Sequence, residues 1–422
     1  MLTNNATDSQ DSVQADYRAI RQASLDLCVP LENEDFGLQA MPETSPPKWH
    51  LAHTTWFFET FVLKPFAAGY RPFHPRYEYL FNSYYNGVGA QYPRPRRGLL
   101  SRPTVREVFD YRAAVDAAMI RLLEQADHAD RETILQRSVL GLHHEQQHQE
   151  LLCTDIKYSL AFNPLYPALD KPAAVKPAPL RRAVNFLEFS PGDTRVGYAG
   201  RGFHFDNEAP AHTRHLPGFR FADRLVTNAE YLTFMREGGY ENPEPWLADG
   251  WIWRQENAAE HPRYWVLQDG AWFEYTLCGL IPLDPDLPVS HVNYYEADAY
   301  ARWCGRRLPA EQEWETVCRR LEPAPAHHAI ALHPRAAAHD GGITQMFGCL
   351  WQWTRSAYSP YPGYRPAAGA IGEYNGKFMC NQMVLRGSSC VTPPGHARPS
   401  YRNFFYPKDQ WQFSGIRLAD DL

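Results

Sequence analysis

Pro164, Pro167, Pro172, Pro177 and Pro179, set among alanines and lysines, divide this 422-residue chain into two parts with different rhythms. Proline fixes its own φ and donates no backbone hydrogen bond, so the stretch continues neither a helix nor a central strand. It reads as a stiff, extended linker and as the domain boundary. The length allows roughly two to three domains. The division expected is residues 1–163, a linker over 164–184, and a second domain over 185–422.

Before the linker the pattern is helical. Val13, Tyr17, Ile20, Ser24 and Leu27 recur at spacings of three and four, the signature of one helix face. Ser45 and Pro46 read as an N-cap followed by proline at the first helical position. Thr104 and Glu107 form a capping-box pattern ahead of Val108, Tyr111, Val115, Met119 and Leu122. A fourth helix is expected from about Ile134 to Leu160, which makes a helical bundle. After the linker, short apolar segments alternate with Gly, Pro, Asp and Asn. Helical periodicity survives only near 227–236, 294–304 and 309–320, and the Ala/Pro/His-rich stretch 322–339 reads as a surface loop.

Composition excludes several classes of function. Hydrophobic residues make up 44% and charged residues 21%, a soluble globular composition. A net charge of -6 without any Lys/Arg run argues against nucleic acid. No stretch approaches the ~18 apolar residues of a membrane span. The first residues have no basic region leading into an apolar run, so no signal peptide is expected. The eight cysteines are scattered and form no Cys-x-x-Cys pair, which fits reduced thiols in a cytoplasmic protein.

The sharpest local signal is Leu140–Leu152, which carries His143, His144, Gln147, His148 and Glu150. Residues four apart sit one turn apart on the same helix face, so His144 and His148 can hold one metal together. Leu140, Leu151 and Leu152 turn that face inward, with Gln147 beside it. His143 falls on a flank and Glu150 points away. A third candidate is His53, which shares a face with Trp49, Trp56, Phe57 and Thr60, with His50 nearer the edge. A histidine among aromatic side chains needs a polar partner, because burying one unpaired costs a few kcal/mol. A lone core histidine more often satisfies this with a hydrogen bond, but three inward-facing histidines in one bundle point to a metal. Three neutral imidazoles suit zinc, iron or copper.

The histidine segments and the second half together resemble the ergothioneine-pathway sulfoxide synthases (EgtB). In that family a DinB-like four-helix bundle is joined to a formylglycine-generating-enzyme-like (sulfatase-modifying factor) domain with a C-type-lectin-like core. The resemblance covers nearly the whole chain and implies an α+β multidomain fold. Its marks in the second half are Phe203–Glu208, Val226–Tyr231, Pro288–Tyr300, Arg307–Glu315, Gly348–Thr354, Leu385–Gly387 and Gly415–Arg417.

The resemblance implies a non-haem Fe(II) oxidoreductase with His53, His144 and His148 as metal ligands. The iron would gather a thiol, trimethylhistidine (hercynine) and O2, giving C–S bond formation and a sulfoxide at imidazole C2. Gathering the reactants turns a three-body reaction into an intramolecular one. The adjacent Tyr84 and Tyr85 resemble the branch whose catalytic tyrosines come from the helical domain, where a phenol can deliver a proton. Arg94 and Arg97 match the pair that holds the carboxylate of the thiol, a bidentate task suited to guanidinium. Gln147, Asn403 and Phe404 match hercynine contacts. Where the mycobacterial type has an Asp that helps hold γ-glutamylcysteine, this chain has Phe405, which favours free L-cysteine.

Three rival readings remain at this level. One is a relative of the same architecture using γ-glutamylcysteine, a selenosugar or histidine. Another is a zinc-dependent thiol transferase of the DinB type, and the last is a silent binding scaffold.

Overall fold

The structure is a computed structural model that describes residues 10–125, 129–170, 183–321, 330–338 and 342–422. Residues 171–182 of the expected linker lie outside the described residues, as do 322–329 and 339 of the expected loop; 330–338 form no regular element. The chain divides into two compact units. The first comprises Met1–Asn163 with two later segments, Gly200–Asp206 and Arg365–Lys377. The second comprises Pro164–Ala199, Asn207–Tyr364 and Phe378–Leu422.

The first unit is helical, with α1 (Gln10–Asp26), α2 (Pro47–Phe58), α3 (Lys64–Phe66), α4 (Tyr77–Phe81), α5 (Val105–Leu123) and α6 (Arg131–Leu160). Helix α6 packs on α1 and α2, and α2 also packs on α5. The Thr104 capping box forms as expected: the Glu107 N–H donates to the Thr104 hydroxyl at 3.2 Å, and the Thr104 N–H to the Glu107 carboxylate at 2.7 Å. The start of α2 differs from expectation. Pro46 is the N-cap and Pro47 opens the helix, without a side-chain cap. A proline at the N-cap has no side-chain acceptor to offer the first-turn N–H groups, and the Ser45 hydroxyl instead accepts from Arg97 at 2.9 Å. Beyond Phe58 the same helix widens into a π-turn over Glu59–Leu63, a local irregularity common beside functional sites. Gly141 sets the closeness of α6 to α2, since a Cβ there would lie 2.5 Å from Phe58 Cε1.

The second unit is built from short strands in four sheets. β1 (Phe186–Phe189), β4 (Phe219–Ala222) and β12 (Ala419–Asp421) form one, with β4 central. β8 (Trp351–Ala357), β9 (Met383–Arg386), β10 (Asn403–Phe405) and β11 (Ser414–Gly415) form another, in the order β10-β9-β8-β11. β2 (Gly192–Val196) pairs with β3 (His212–Leu216), and β5 (Trp265–Gln268), β6 (Ala271–Thr276) and β7 (Gly279–Pro282) form a meander. Helices α7 (Asn228–Arg236), α9 (Tyr294–Trp303) and α10 (Glu311–Leu321) match the three expected segments. Helix α8 (Ala248–Glu256) was not anticipated, because Gly250 and neighbouring tryptophans obscure its period; Gly250 packs against Tyr295, which leaves no room for a Cβ.

So many short strands leave carbonyls without ladder partners, and buried arginines supply the donors. Arg386 donates to the carbonyls of Ser400 and Tyr401, both at 2.9 Å. Arg402 reaches the Asn207 and Ser359 carbonyls at 3.0 Å, and Arg417 that of Ala222 at 2.9 Å. Glu311 and Glu315 on α10 balance Arg402 and Arg386. Several of the sequence marks in this half are therefore devices for holding a loop-rich fold together. Among the described residues no helix is long and apolar enough to cross a membrane.

Candidate metal centre

Helix α2 supplies His53 and helix α6 supplies His144 and His148, and one ring nitrogen from each lies within 4.8 Å of the other two. His53 and His144 are buried, and His148 is partly exposed. His53 Nδ1 lies 2.6 Å from the Phe81 carbonyl oxygen, which can only accept. That contact assigns the ring proton to Nδ1 and leaves a lone pair on His53 Nε2. His53 Nε2 in turn faces His144 Nε2 at 3.2 Å.

These donors fit a metal ion. Two nitrogens bound at about 2.1 Å and at right angles stand roughly 3.0 Å apart, and about 3.4 Å apart at a tetrahedral angle. The observed 3.2 Å lies between. His144 Nδ1 is buried without a hydrogen-bond partner among the described residues. With the His144 proton on Nδ1, two lone pairs would face each other unless a cation lies between them. With the proton on Nε2, a buried lone pair is left unsatisfied.

The surroundings keep the three rings neutral. Burial pushes the imidazole of His144 down to about 3, with Glu145 opposing and His50 adding to the shift. Burial, then His144, hold His53 and His148 well below the ordinary histidine value. Their lone pairs are therefore available to a metal at neutral pH. Aromatic packing fixes their planes. The His53 ring stacks between Trp49 (4.6 Å) and Trp56 (5.4 Å), and Phe57 lies 4.7 Å from His144. His50, expected nearer the edge of its face, is instead buried at 3% exposure and bonded to His148.

Several other candidates gather in the same unit. Tyr84 and Tyr85 stack at 4.7 Å, and Tyr85 packs on Trp56 at 5.6 Å. Burial raises both phenols, and for Tyr85 the neighbouring Tyr84 and Tyr374 add to the effect. Each therefore carries its proton at neutral pH. Their turn is held by the Glu373 carboxylate, which accepts from the Asn86 and Gly87 N–H groups at 3.1 and 2.7 Å. Gln147 accepts a hydrogen bond from the Tyr374 hydroxyl. The Tyr374 ring lies 5.6 Å from His144 and stacks on Phe205 at 5.3 Å. Sequence reasoning missed Tyr374: it stands more than two hundred residues from Gln147 in an irregular segment without periodicity.

The two arginines separate. Arg94 is exposed and donates to the Glu43 carbonyl. Arg97 is buried, lies 3.4 Å over the Trp49 ring, and its Nε has no hydrogen-bond partner among the described residues. Burial, then the neighbouring Arg94, hold its guanidinium well below the ordinary arginine range. An anion would relieve both. Asn403 and Phe404 stand on β10 in the second unit. There Asn403 Oδ1 accepts from the Phe404 N–H at 2.9 Å, and the Phe404 ring stacks on Tyr358 at 4.0 Å. Phe405 packs on Trp411 at 5.7 Å.

Comparison with known proteins agrees with this architecture. The family described as Sulfatase-modifying factor enzyme 1-like domain matches residues 171–324 and 333–422, and the DinB superfamily matches residues 16–152. The fold and site thus define a DinB-like helical domain with a three-histidine cluster, joined to a sulfatase-modifying-factor-like domain of the C-type-lectin-like kind. A hercynine oxygenase of Mycolicibacterium smegmatis is 30% identical over 98% of this chain and 100% of its own length. That of Mycolicibacterium thermoresistibile is 32% identical over 93% of this chain and 91% of its own. Ergothioneine biosynthesis protein 1 of Schizosaccharomyces pombe is 28% identical over 51% of this chain and 27% of its own length. The chain belongs to the hercynine oxygenase family of ergothioneine biosynthesis and is an oxygen-using oxidoreductase.

Proposed function

We propose that this enzyme uses Fe(II) and O2 to join the sulfur of L-cysteine to C2 of the hercynine imidazole, giving hercynylcysteine sulfoxide. The reaction balances: one C–H, one S–H and one O2 become one C–S bond, one S=O bond and one water. The observation that carries the reading is the convergence of three neutral histidines with a buried arginine whose Nε has no hydrogen-bond partner among the described residues, and a protonated tyrosine pair, in one unit. An iron ion held by His53, His144 and His148 would supply electrons to O2 and a common site for the reactants.

The chain's own residues supply the rest. The Arg97 guanidinium, with Arg94, takes the cysteine carboxylate, and the ion pair satisfies the otherwise unpaired Nε. Tyr84 or Tyr85 donates the proton that accompanies oxygen reduction, a role that suits phenols kept protonated by burial. Tyr374 holds Gln147 by its carbonyl oxygen, and Gln147 so oriented serves as the polar contact to hercynine. Asn403 and Phe404 serve the carboxylate end of hercynine. Phe405 offers no carboxylate for the extra polar groups of γ-glutamylcysteine, so the smaller thiol is preferred.

The test is O2 uptake by anaerobically Fe(II)-loaded protein, with hercynine and either L-cysteine or γ-glutamylcysteine. Uptake requiring hercynine and L-cysteine together, with the sulfoxide identified by mass spectrometry, is the expected result. Faster uptake with γ-glutamylcysteine would overturn the choice of thiol, and no coupled uptake with either would overturn the reaction. In the same assay Arg97→Ala is expected to raise the KM for L-cysteine about 10–100-fold, the effect of losing a charge-assisted hydrogen bond of roughly 1.5–3 kcal/mol. An unchanged KM for L-cysteine would remove Arg97 from that role.

A further inference from the structure

His50 lies behind the metal cluster, in a polar chain that the candidate ligands do not explain. Its Nδ1 is 2.9 Å from His148 Nδ1, and its Nε2 is 3.1 Å from Asp155 Oδ2. The same Asp155 oxygen accepts the Ser45 N–H at 2.8 Å. His50 and Asp155 are each 3% exposed, so bulk water does not satisfy these groups.

Each proton in this chain is assigned by the next partner. The Asp155 carboxylate only accepts, so His50 Nε2 carries the hydrogen. With that single ring proton, His50 presents a lone pair at Nδ1. His148 Nδ1, facing that lone pair, must be the donor. The nitrogen left to His148 is Nε2, with its lone pair free. Asp155 lies seven residues beyond His148, two turns along the same face of α6, and His50 lies one turn before His53 on α2. Both helices thus contribute to the ligand set and to the polar chain behind it.

We propose that His50 and Asp155 are positioning residues of the metal centre: Asp155 orients His50, and His50 fixes the ring and tautomer of His148 so that Nε2 is its ligand atom. This rests on the three-histidine metal reading above. A carboxylate behind a histidine ligand both orients the ring and makes it a stronger donor. His53 is held in the same way by the Phe81 carbonyl, so two of the three rings have an assigned proton.

The test uses the full-length apoprotein and Co(II), titrated anaerobically against a competing chelator, with the visible absorption of the bound ion as a second readout. Wild type, Asp155→Asn, His50→Leu and His50→Gln are compared, and thermal unfolding of each apoprotein is recorded. Asp155→Asn and His50→Leu are expected to weaken Co(II) binding about 10–100-fold and to shift the visible band. His50→Gln, which can accept from His148 through its amide oxygen, is expected to recover most of that loss. A purely structural role would lower the unfolding temperature and leave affinity and spectrum unchanged, and that result overturns the inference. If His50→Leu does not fold, the nearly isosteric Asp155→Asn decides alone. A wild-type protein that binds no Co(II) overturns the metal reading as well, whereas normal wild-type binding with unaffected variants overturns only the positioning role.

Discussion

Substitution of His144 by alanine is expected to abolish stoichiometric metal binding and, with it, coupled O2 uptake. The loss of affinity should exceed the 10–100-fold that removal of an outer partner causes, since a direct ligand is removed. Unfolding reports the same event without any substrate. A ligand present at 100 times its Kd stabilises the folded state by about 2.7 kcal/mol, so wild type should gain that much from metal and His144→Ala almost nothing. Metal protection in the variant equal to that of wild type would remove His144 from the site.

The same cluster sets an acid response. His53, His144 and His148 all have folded values below that of an unfolded histidine, near 6.5. Below that pH the unfolded chain binds more protons than the folded one, so stability rises with pH in this range. The contribution is fully present above about 6.5 and is lost progressively as pH falls, for His144 down to about 3. Metal-free protein should therefore lose stability between pH 7 and 5, as followed by thermal unfolding.

Glu145→Gln is expected to destabilise the helical unit by about 3–5 kcal/mol, the usual cost of removing one member of a buried ionic group. Glu145 follows His144 in sequence and so points about 100° away from it around α6. Its carboxylate accepts from Arg21 at 2.9 Å, from the Ser24 hydroxyl at 2.6 Å, and from Arg112. Arg21 reaches Asp116 at 2.6 Å and Thr55 at 3.0 Å, so this one group ties α1, α2, α5 and α6 together. Neutralising Glu145 leaves two buried guanidinium groups short of a counter-charge. For a unit of this size, 1 kcal/mol corresponds to roughly 2–4 °C, so the midpoint should fall by about 6–20 °C. A fall of less than about 2 °C would show that the network contributes little.

Here too pH has a defined sign. Burial alone would raise the Glu145 carboxyl, but Arg112 and Arg21 outweigh it and hold the group down at about 2. A depressed carboxyl contributes stability that is present above its unfolded value, near 4.3, and lost as pH falls toward 2. The penalty of Glu145→Gln should therefore be constant from pH 7 to 5, where the histidine contribution already declines. It should shrink only in stronger acid.

The elements that the sequence determined by itself are those whose signal is local. Three- and four-residue spacing marked α1, α5 and α6, the Thr104–Glu107 pair marked a helix start, and the His144–His148 spacing marked one face of one helix. His53 could be added because its aromatic face had to be buried. Family resemblance carried the loop-rich second half, where periodicity is too short to read.

Tertiary structure alone decided the rest. It placed His53 Nε2 3.2 Å from His144 Nε2, because Gly141 lets α6 approach α2 closely. It buried His50 and linked it to Asp155, brought Tyr374 to Gln147, and surrounded Glu145 with arginines from two other helices. None of these pairs has a sequence pattern, since each joins residues far apart in the chain. Burial makes them necessary: in a site from which water is excluded, each polar group must find its partner wherever packing brings one.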